Sequence, residues 1–300
     1  MAMLTRTSWV KIVLIALLCL VLCGGLIGCS VGCTAAIRHA GSLAGSTFNG
    51  VSFSERGDFS VPARDVRSLE INWLAGAVEV VVSDSAEAST VDGVEEFSGT
   101  ARDSLRMSWQ LRDGVLQISS GPGQIGIFGC SHMDDKRLVL TLPRSVAQSL
   151  ELVDLSAASG TYQLGPLSCK RLNVNLASGR VEGEGLAAQA LDLDVASGNI
   201  NLAGRFQQEV DLNLASGNVE ILCAEACPAR TSLEVMSGQL LLAVPEDSGF
   251  TAYIDKLSGS FNCDLPGTWD LPDYDTFIYG DGARTMDVNM ASGNVTVRGA

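Results

Sequence analysis

The chain has 300 residues and a formal net charge of −14, from 20 Lys and Arg against 34 Asp and Glu. All of the acid lies beyond Arg38, an imbalance that repels nucleic-acid phosphates and leaves no basic patch for anionic lipid. Two histidines all but exclude His-built metal centres and His-driven triads, and 32 glycines in a chain that is 46% hydrophobic indicate a tightly cornered β protein rather than disorder.

Residues 1–38 form the first segment. Ile12 to Ile37 carry no charge, and these 26 residues exceed the about 20 that a helix needs to cross the hydrocarbon core. Arg6 and Lys11 precede the run and Arg38 follows it, which favours an inside N-terminus with the remainder outside. Two readings stay open. One is an uncleaved signal-anchor helix, in which Gly24, Gly28 and Gly32 line one face and let two helices approach closely. The other is a lipoprotein signal peptide ending at Gly28, because Leu26-Ile27-Gly28-Cys29 resembles a lipobox and makes Cys29 the candidate for lipidation. Both place the bulk of the chain outside the cytoplasm. Residues 39–59 begin with a Gly- and Ser-rich stretch without periodicity and read as a flexible linker.

From residue 60 to residue 300 the sequence reads as one β domain. Leu69, Ile71 and Trp73 precede Ala75-Gly76, and Val78 and Val80 follow it. Leu105 to Ser119 reads as two strands joined at Arg112-Asp113-Gly114, and Arg137 to Leu142 as a strand ended by Pro143. Gly121-Pro122-Gly123-Gln124-Ile125-Gly126 matches a dinucleotide fingerprint, but no helix follows to receive phosphates, so it reads as a loop. Cys130 and His132 lack the further ligands of a zinc site.

The dominant signal is a recurring Ser-Gly, at Ser159, Ser178, Ser197, Ser216, Ser237, Ser258 and Ser292, spaced by 19, 19, 19, 21, 21 and 34 residues. A period near 20 points to a solenoid. Before each Ser, apolar residues alternate with Asn or Asp, as in Leu191, Leu193 and Val195 with Asp192 and Asp194. That is a strand with one buried face. After the Ser the apolar positions change parity, as at Ile200 and Leu202 or Val219 and Ile221. A straight strand would turn those side chains to the opposite face, so the chain must bend at each Ser-Gly. Glycine supplies the positive φ such a corner needs, and the Asn that often follows (Asn199, Asn218, Asn294) tolerates turn geometry. Leu167, Leu186 and Phe206 are placed to plug a short third side. The expectation is an all-β, single-stranded, right-handed β-helix preceded by a transmembrane or signal helix, with roughly eleven coils over about 50 Å. The stretch between Ser258 and Ser292, with Trp269, Pro272, Tyr274 and Tyr279, is expected to be a loop or an irregular coil.

Candidate chemistry is sparse. Asp192, Asp194 and Asp211 fall on the outward face, where clustered carboxylate oxygens suit Ca²⁺, although the glycine-aspartate nonapeptide of Ca²⁺-binding β-rolls is absent and a solvated acidic face is the simpler account. The same carboxylates suit acid and base roles in a polysaccharide-cleaving β-helix enzyme, which would add long groove-forming loops that the tight repeats lack. Cys223 and Cys227 bracket the corner where the repeat lengthens from 19 to 21 residues and are the disulfide candidates. Cys263 falls at a buried position. No cofactor is expected.

The strand-Ala-Ser-Gly-Asn-strand units, the Arg137-Leu138-Val139-Leu140-Thr141-Leu142-Pro143 strand, Tyr279-Gly280-Asp281-Gly282 and the N-terminal apolar segment together resemble the bacterial "putative adhesin" domain family. The resemblance runs from about residue 60 to residue 300. It implies a right-handed β-helix at the cell surface or in the envelope, in a family some of whose members are linked to envelope stress, and it carries over no catalytic residue. The chain departs from the pattern at Lys256, which stands where a buried apolar residue is expected. The resulting expectation is a membrane-anchored, extracytoplasmic, non-catalytic binding scaffold for a glycan or protein ligand. An envelope-stress sensor of the same fold is the alternative, and a polysaccharide-active enzyme a third. Self-association is expected through the C-terminal coil, which ends at Arg298-Gly299-Ala300 without an obvious cap, or through the Gly24/Gly28/Gly32 face.

Overall fold

Apolar residues of opposite parity on the two sides of each Ser-Gly can share one interior only if the chain turns there. In the computed structural model, which describes residues 47–48, 51–85, 87–97, 106–120, 136–270 and 275–300, it does. Gly160, Gly179, Gly198, Gly217, Gly238 and Gly259 have φ between 93° and 135°. The strands entering these bends form one wall and those leaving them a second, and the alternating aliphatic residues of both walls fill the space between. Leu191, Leu193 and Val195 are buried on one side of the Gly198 bend, and Ile200 and Leu202 on the other. Leu167, Leu186 and Phe206 close the third side and are each 2% exposed.

The bends stand in a column because each lies in register with the next. Asn199 N–H donates to Gly179 O at 2.9 Å, Asn218 N–H to Gly198 O at 2.9 Å and Gln239 N–H to Gly217 O at 2.9 Å. A Cβ on Gly179, Gly198 or Gly217 would meet the carbonyl oxygen of the preceding bend at 2.3, 2.6 or 2.2 Å. Glycine is therefore required twice over, for its φ and for its lack of a side chain.

Chain order and stacking order agree only in the middle. Leu150–Ala157, Ser168–Leu176 and the later halves of Arg180–Val195 and Asn199–Leu214 pair parallel in sequence, followed by Arg230–Val235. Beyond that point the expected succession fails. The last coil, Arg284–Met290 with Asn294–Gly299, lies between Arg230–Val235 with Gln239–Val244 on one side and Phe250–Lys256 with Ser260–Cys263 on the other. The C-terminal coil is thus paired along both edges, and the uncapped end expected from the sequence does not exist there. The other end repeats the device. Ser68–Trp73 lies between Val115–Ser119 and Leu150–Ala157, and Ala77–Ser83 between Lys136–Pro143 and Thr161–Leu164.

Among the described residues, eight glycine-bend layers plus the layer made by Val115–Ser119 and Lys136–Pro143 give nine parallel layers, against the eleven expected. The difference arises because the remaining strands run antiparallel and cover the ends. Ser108–Arg112, Thr90–Phe97 and Phe59–Pro62 do so at one end, and Thr276–Tyr279 with Thr268–Trp269 at the other. Such caps blunt the edges that a parallel stack would otherwise expose. Strand pairing also reaches upstream of residue 60, since Glu55–Arg56 pairs with Trp109 and Ser108.

A buried ion pair holds the first cap. Glu95 and Lys136 have side chains 0% and 3% exposed, with Oε1 and Nζ 2.8 Å apart. Glu95 Oε2 accepts the Met107 N–H at 2.8 Å, Lys136 Nζ donates to Ser120 O at 2.5 Å, and the ammonium sits 4.8 Å from the Phe97 ring centre. Burial pushes the Lys136 pKa down, against the pull of Glu95.

Three further expectations are corrected. Cys223 and Cys227 form no disulfide and are buried free thiols. Cys223 occupies an inward strand position, and the wider corner is tied instead by the Cys227 N–H donating to Ser248 Oγ at 3.0 Å. Cys263 is half-buried because its layer is the last of the stack. Lys256 is exposed for the same reason: Thr276–Tyr279 covers only residues 250–253 of its strand, so no layer needs an apolar residue there. Among the described residues no helix is long and apolar enough to cross a membrane. The anchor at 1–38, Cys29, the Gly24/Gly28/Gly32 face, the loop at residues 121–126, and Cys130 and His132 lie outside the described residues.

Candidate functional site

Because the interior takes every second residue, each wall presents the intervening ones to solvent, and parallel register lines them up in columns. On the first wall Asp192 is the register partner of Asp211, with Asn173 on its other side. Asp194 pairs with Asn213, whose Nδ2 donates to Asp194 Oδ1 at 2.9 Å, and Asn173 Nδ2 donates to Asp154 Oδ2 at 3.3 Å. Amides thus separate several of the carboxylates, while Asp192–Asp211 and Glu70–Asp154 each set two carboxylates side by side, the second pair accepting amide hydrogens from Gln117 and Asn173. Partial burial, followed by the charge of Asp194 for Asp192 and of Asp192 for Asp211, holds both carboxyls above the ordinary carboxylate range.

Among the described residues no three His, Cys, Asp or Glu side chains gather as metal ligands. Asp192, Asp194 and Asp211 line the outward acidic face of the first wall. Asp194 is engaged by Asn213, and the remaining two occupy successive layers instead of converging on one point.

The concave feature lies on the second wall, away from these aspartates. A groove of about 750 Å³ crosses six layers, from Arg180 and Glu182 to Ser260 and Asn262. Its floor is two columns of outward side chains. The residues two after each Ser give Arg180, Asn199, Asn218, Gln239, Asn294 and Ser260, in continuous register. The residues four after each Ser give Glu182, Asn201, Glu220, Leu241, Thr296 and Asn262.

Within the first column Asn218 Nδ2 donates to Asn199 Oδ1 at 2.9 Å, and Ser260 Oγ to Asn294 Oδ1 at 2.6 Å. The charged groups are paired. Arg180 lies 3.3 Å from Glu182, and Arg298 lies 3.3 Å from Glu220. What is left to meet a ligand is a fixed lattice of carboxamides and hydroxyls around one aliphatic residue, Leu241.

Sequence reasoning missed this site. Asn199, Asn218 and Asn294 read as residues that ease a turn, because a column of amides one position beyond each bend looks the same in sequence whether it serves the bend or a surface. The signal that was present is Leu241, an apolar residue at an outward position.

A family profile described as Toastrack DUF4097 matches residues 60–298. Among solved structures, a "putative cell adhesion protein" from Clostridium sporogenes ATCC 15579 is similar at 13% identity, with 82% of this chain and 100% of that one covered and a TM-score of 0.35. A "putative adhesin" from Bacteroides fragilis NCTC 9343 is similar at 12% identity, with 84% and 100% covered and a TM-score of 0.40. No curated protein matches the chain.

Proposed function

The chain belongs to the Toastrack DUF4097 family over residues 60–298, and from that premise we propose that it is a non-catalytic, adhesin-like binding scaffold, a right-handed solenoid held outside the cytoplasm by its N-terminal segment. The observation that carries this reading is the second-wall groove. Except for Ser260 and Asn262 in the last layer, its polar side chains project from strands paired on both sides by neighbouring layers, so they are ordered before a ligand arrives, and binding need not spend energy on fixing them. The carboxylates at the groove, Glu182 and Glu220, are ion-paired with Arg180 and Arg298. Asp192 and Asp211, the acid–base candidates, lie on the other wall. These placements support binding over turnover. The apolar segment Ile12 to Ile37 and Cys29 supply the anchor, as a membrane helix or a lipidated cysteine.

The test uses the full chain with a C-terminal tag, expressed in bacterial cells. Protease added to intact cells is expected to remove the tag, and an Asn199→Ala/Asn218→Ala chain is expected to bind the envelope fraction less than an Asp211→Asn chain does. A protected tag, or equal envelope binding by all three chains, contradicts the proposal.

A further inference from the structure

Resting on the binding-scaffold reading, we propose that the second-wall groove takes a neutral, hydroxyl-rich linear polysaccharide laid along the stack, across the strands. The dimensions suit an extended ligand. Six layers at ~4.8 Å give the groove a length of about 24 Å, with two columns of outward side chains running its whole length.

The chemistry fits hydroxyls. Each carboxamide of Asn199, Asn218, Gln239 and Asn294 offers an acceptor oxygen and two N–H donors, more than the ladder bonds within the column use. A sugar hydroxyl both donates and accepts, so it can bridge amides of adjacent layers in either sense. Leu241 lies between Glu220 and Thr296 in register and gives the C–H face of a sugar ring an apolar contact.

Charge narrows the class. The groove's ions are neutralised by Arg180–Glu182 and Arg298–Glu220, while the whole chain carries −14. An anionic polymer is repelled at long range and finds no uncompensated cation in the groove. A peptide strand is recognised by adding to a sheet edge, and this face presents side chains alone. Among the described residues no aromatic ring lines the groove, so affinity comes from many modest hydrogen bonds and rises with ligand length until the six layers are filled.

The experiment measures binding of the full chain, in phospholipid nanodiscs, to cello-, chito- and manno-oligosaccharides of graded length, with hyaluronate as the anionic comparator. At least one neutral series is expected to bind more tightly with each added sugar and then level off near the length of the groove. Each amide removed, in Asn218→Ala or Gln239→Ala, is expected to weaken the longest bound ligand about two- to tenfold. Leu241→Asp is expected to abolish binding, and Asp211→Asn on the other wall to leave it unchanged. Asn218 and Gln239 are exposed and Leu241 and Asp211 half-buried at outward positions, and circular dichroism of each variant checks that the fold is kept. Two results overturn the ligand class while the scaffold reading stands: hyaluronate binding above every neutral series, or silence of all sugars while envelope binding still depends on Asn199 and Asn218. If envelope binding is also indifferent to Asn199 and Asn218, both readings fall.

Discussion

Replacing Gly217 by alanine tests the column of bends directly. Gly217 has φ of 111°, and a Cβ there would sit 2.2 Å from Gly198 O, the oxygen that accepts the Asn218 N–H at 2.9 Å. An L-residue in that region costs about 1–3 kcal/mol of backbone strain. Moving the carbonyl aside forfeits a hydrogen bond worth about 0.5–1.5 kcal/mol. Together these come to roughly 2–4 kcal/mol, a large share of the about 5–15 kcal/mol that holds a domain folded. Urea unfolding followed by tryptophan fluorescence is the assay, and the midpoint is expected to fall by about 1 M at an m value of about 1–3 kcal/mol per molar. Gly299→Ala is the control. Gly299 lacks a positive φ, and its added methyl meets the movable Glu246 side chain at 3.2 Å and Leu265 at an ordinary contact of 3.6 Å. If Gly217→Ala unfolds at the parent midpoint, or no earlier than Gly299→Ala, the steric account of the bends is wrong.

Three other outcomes are expected. Asp211→Asn removes the repulsion between ladder partners ~4.8 Å apart and stabilises the fold at neutral pH by on the order of 1 kcal/mol. Because the folded carboxyl titrates above its unfolded value, the parent gains stability as the pH falls through the folded pKa, and the advantage of the variant fades over that interval. Thermal melts at graded pH check the sign, and a gain that persists in acid contradicts it. Lys136→Met leaves the buried Glu95 with only the Arg106 guanidinium, whose Nε lies 3.8 Å from Oε2, and is expected to cost about 3 kcal/mol, most of it recovered when Glu95→Leu is added. Chemical denaturation of the single and double variants measures this, and a neutral single variant speaks against it. Burial pushes the Cys223 and Cys227 thiols up to about 12 and about 11. The native protein should therefore resist alkylation at neutral pH at both positions, and both should react after unfolding without reductant. Peptide mass mapping reads this, and an oxidised pair would contradict it.

The central layers were legible because two independent constraints coincide in them. The change of apolar parity across Ser197-Gly198 demands a bend, and glycine is the residue that allows it. Leu172, Leu191, Val210 and Met286 all proved buried as the alternation required. The order of the layers was not legible. Every wall strand carries the same alternation, so nothing in Asn294–Gly299 says whether it pairs beside Gln239–Val244 or beyond Ser260–Cys263, and it does both jobs at once by lying between them. The 34-residue spacing from Ser258 to Ser292 was the trace of that detour. The chain needs the extra length to run back over Phe250–Lys256 as an antiparallel strand before entering the gap. Lys256 looked like a broken layer and is instead the mark of a terminal one. The groove stayed hidden because outward Asn residues have no period of their own to betray a use.

The interleaved ends bear on how long the folded state survives. A stack of repeats ordinarily frays from its outermost unit. Here neither Ser68–Trp73 nor Arg284–Met290 is outermost, and each is hydrogen-bonded to parallel neighbours on both sides. Tension on either terminus must tear two ladders together before the first coil peels away. The fold is therefore guarded by a slow rate of unravelling as well as by its equilibrium margin.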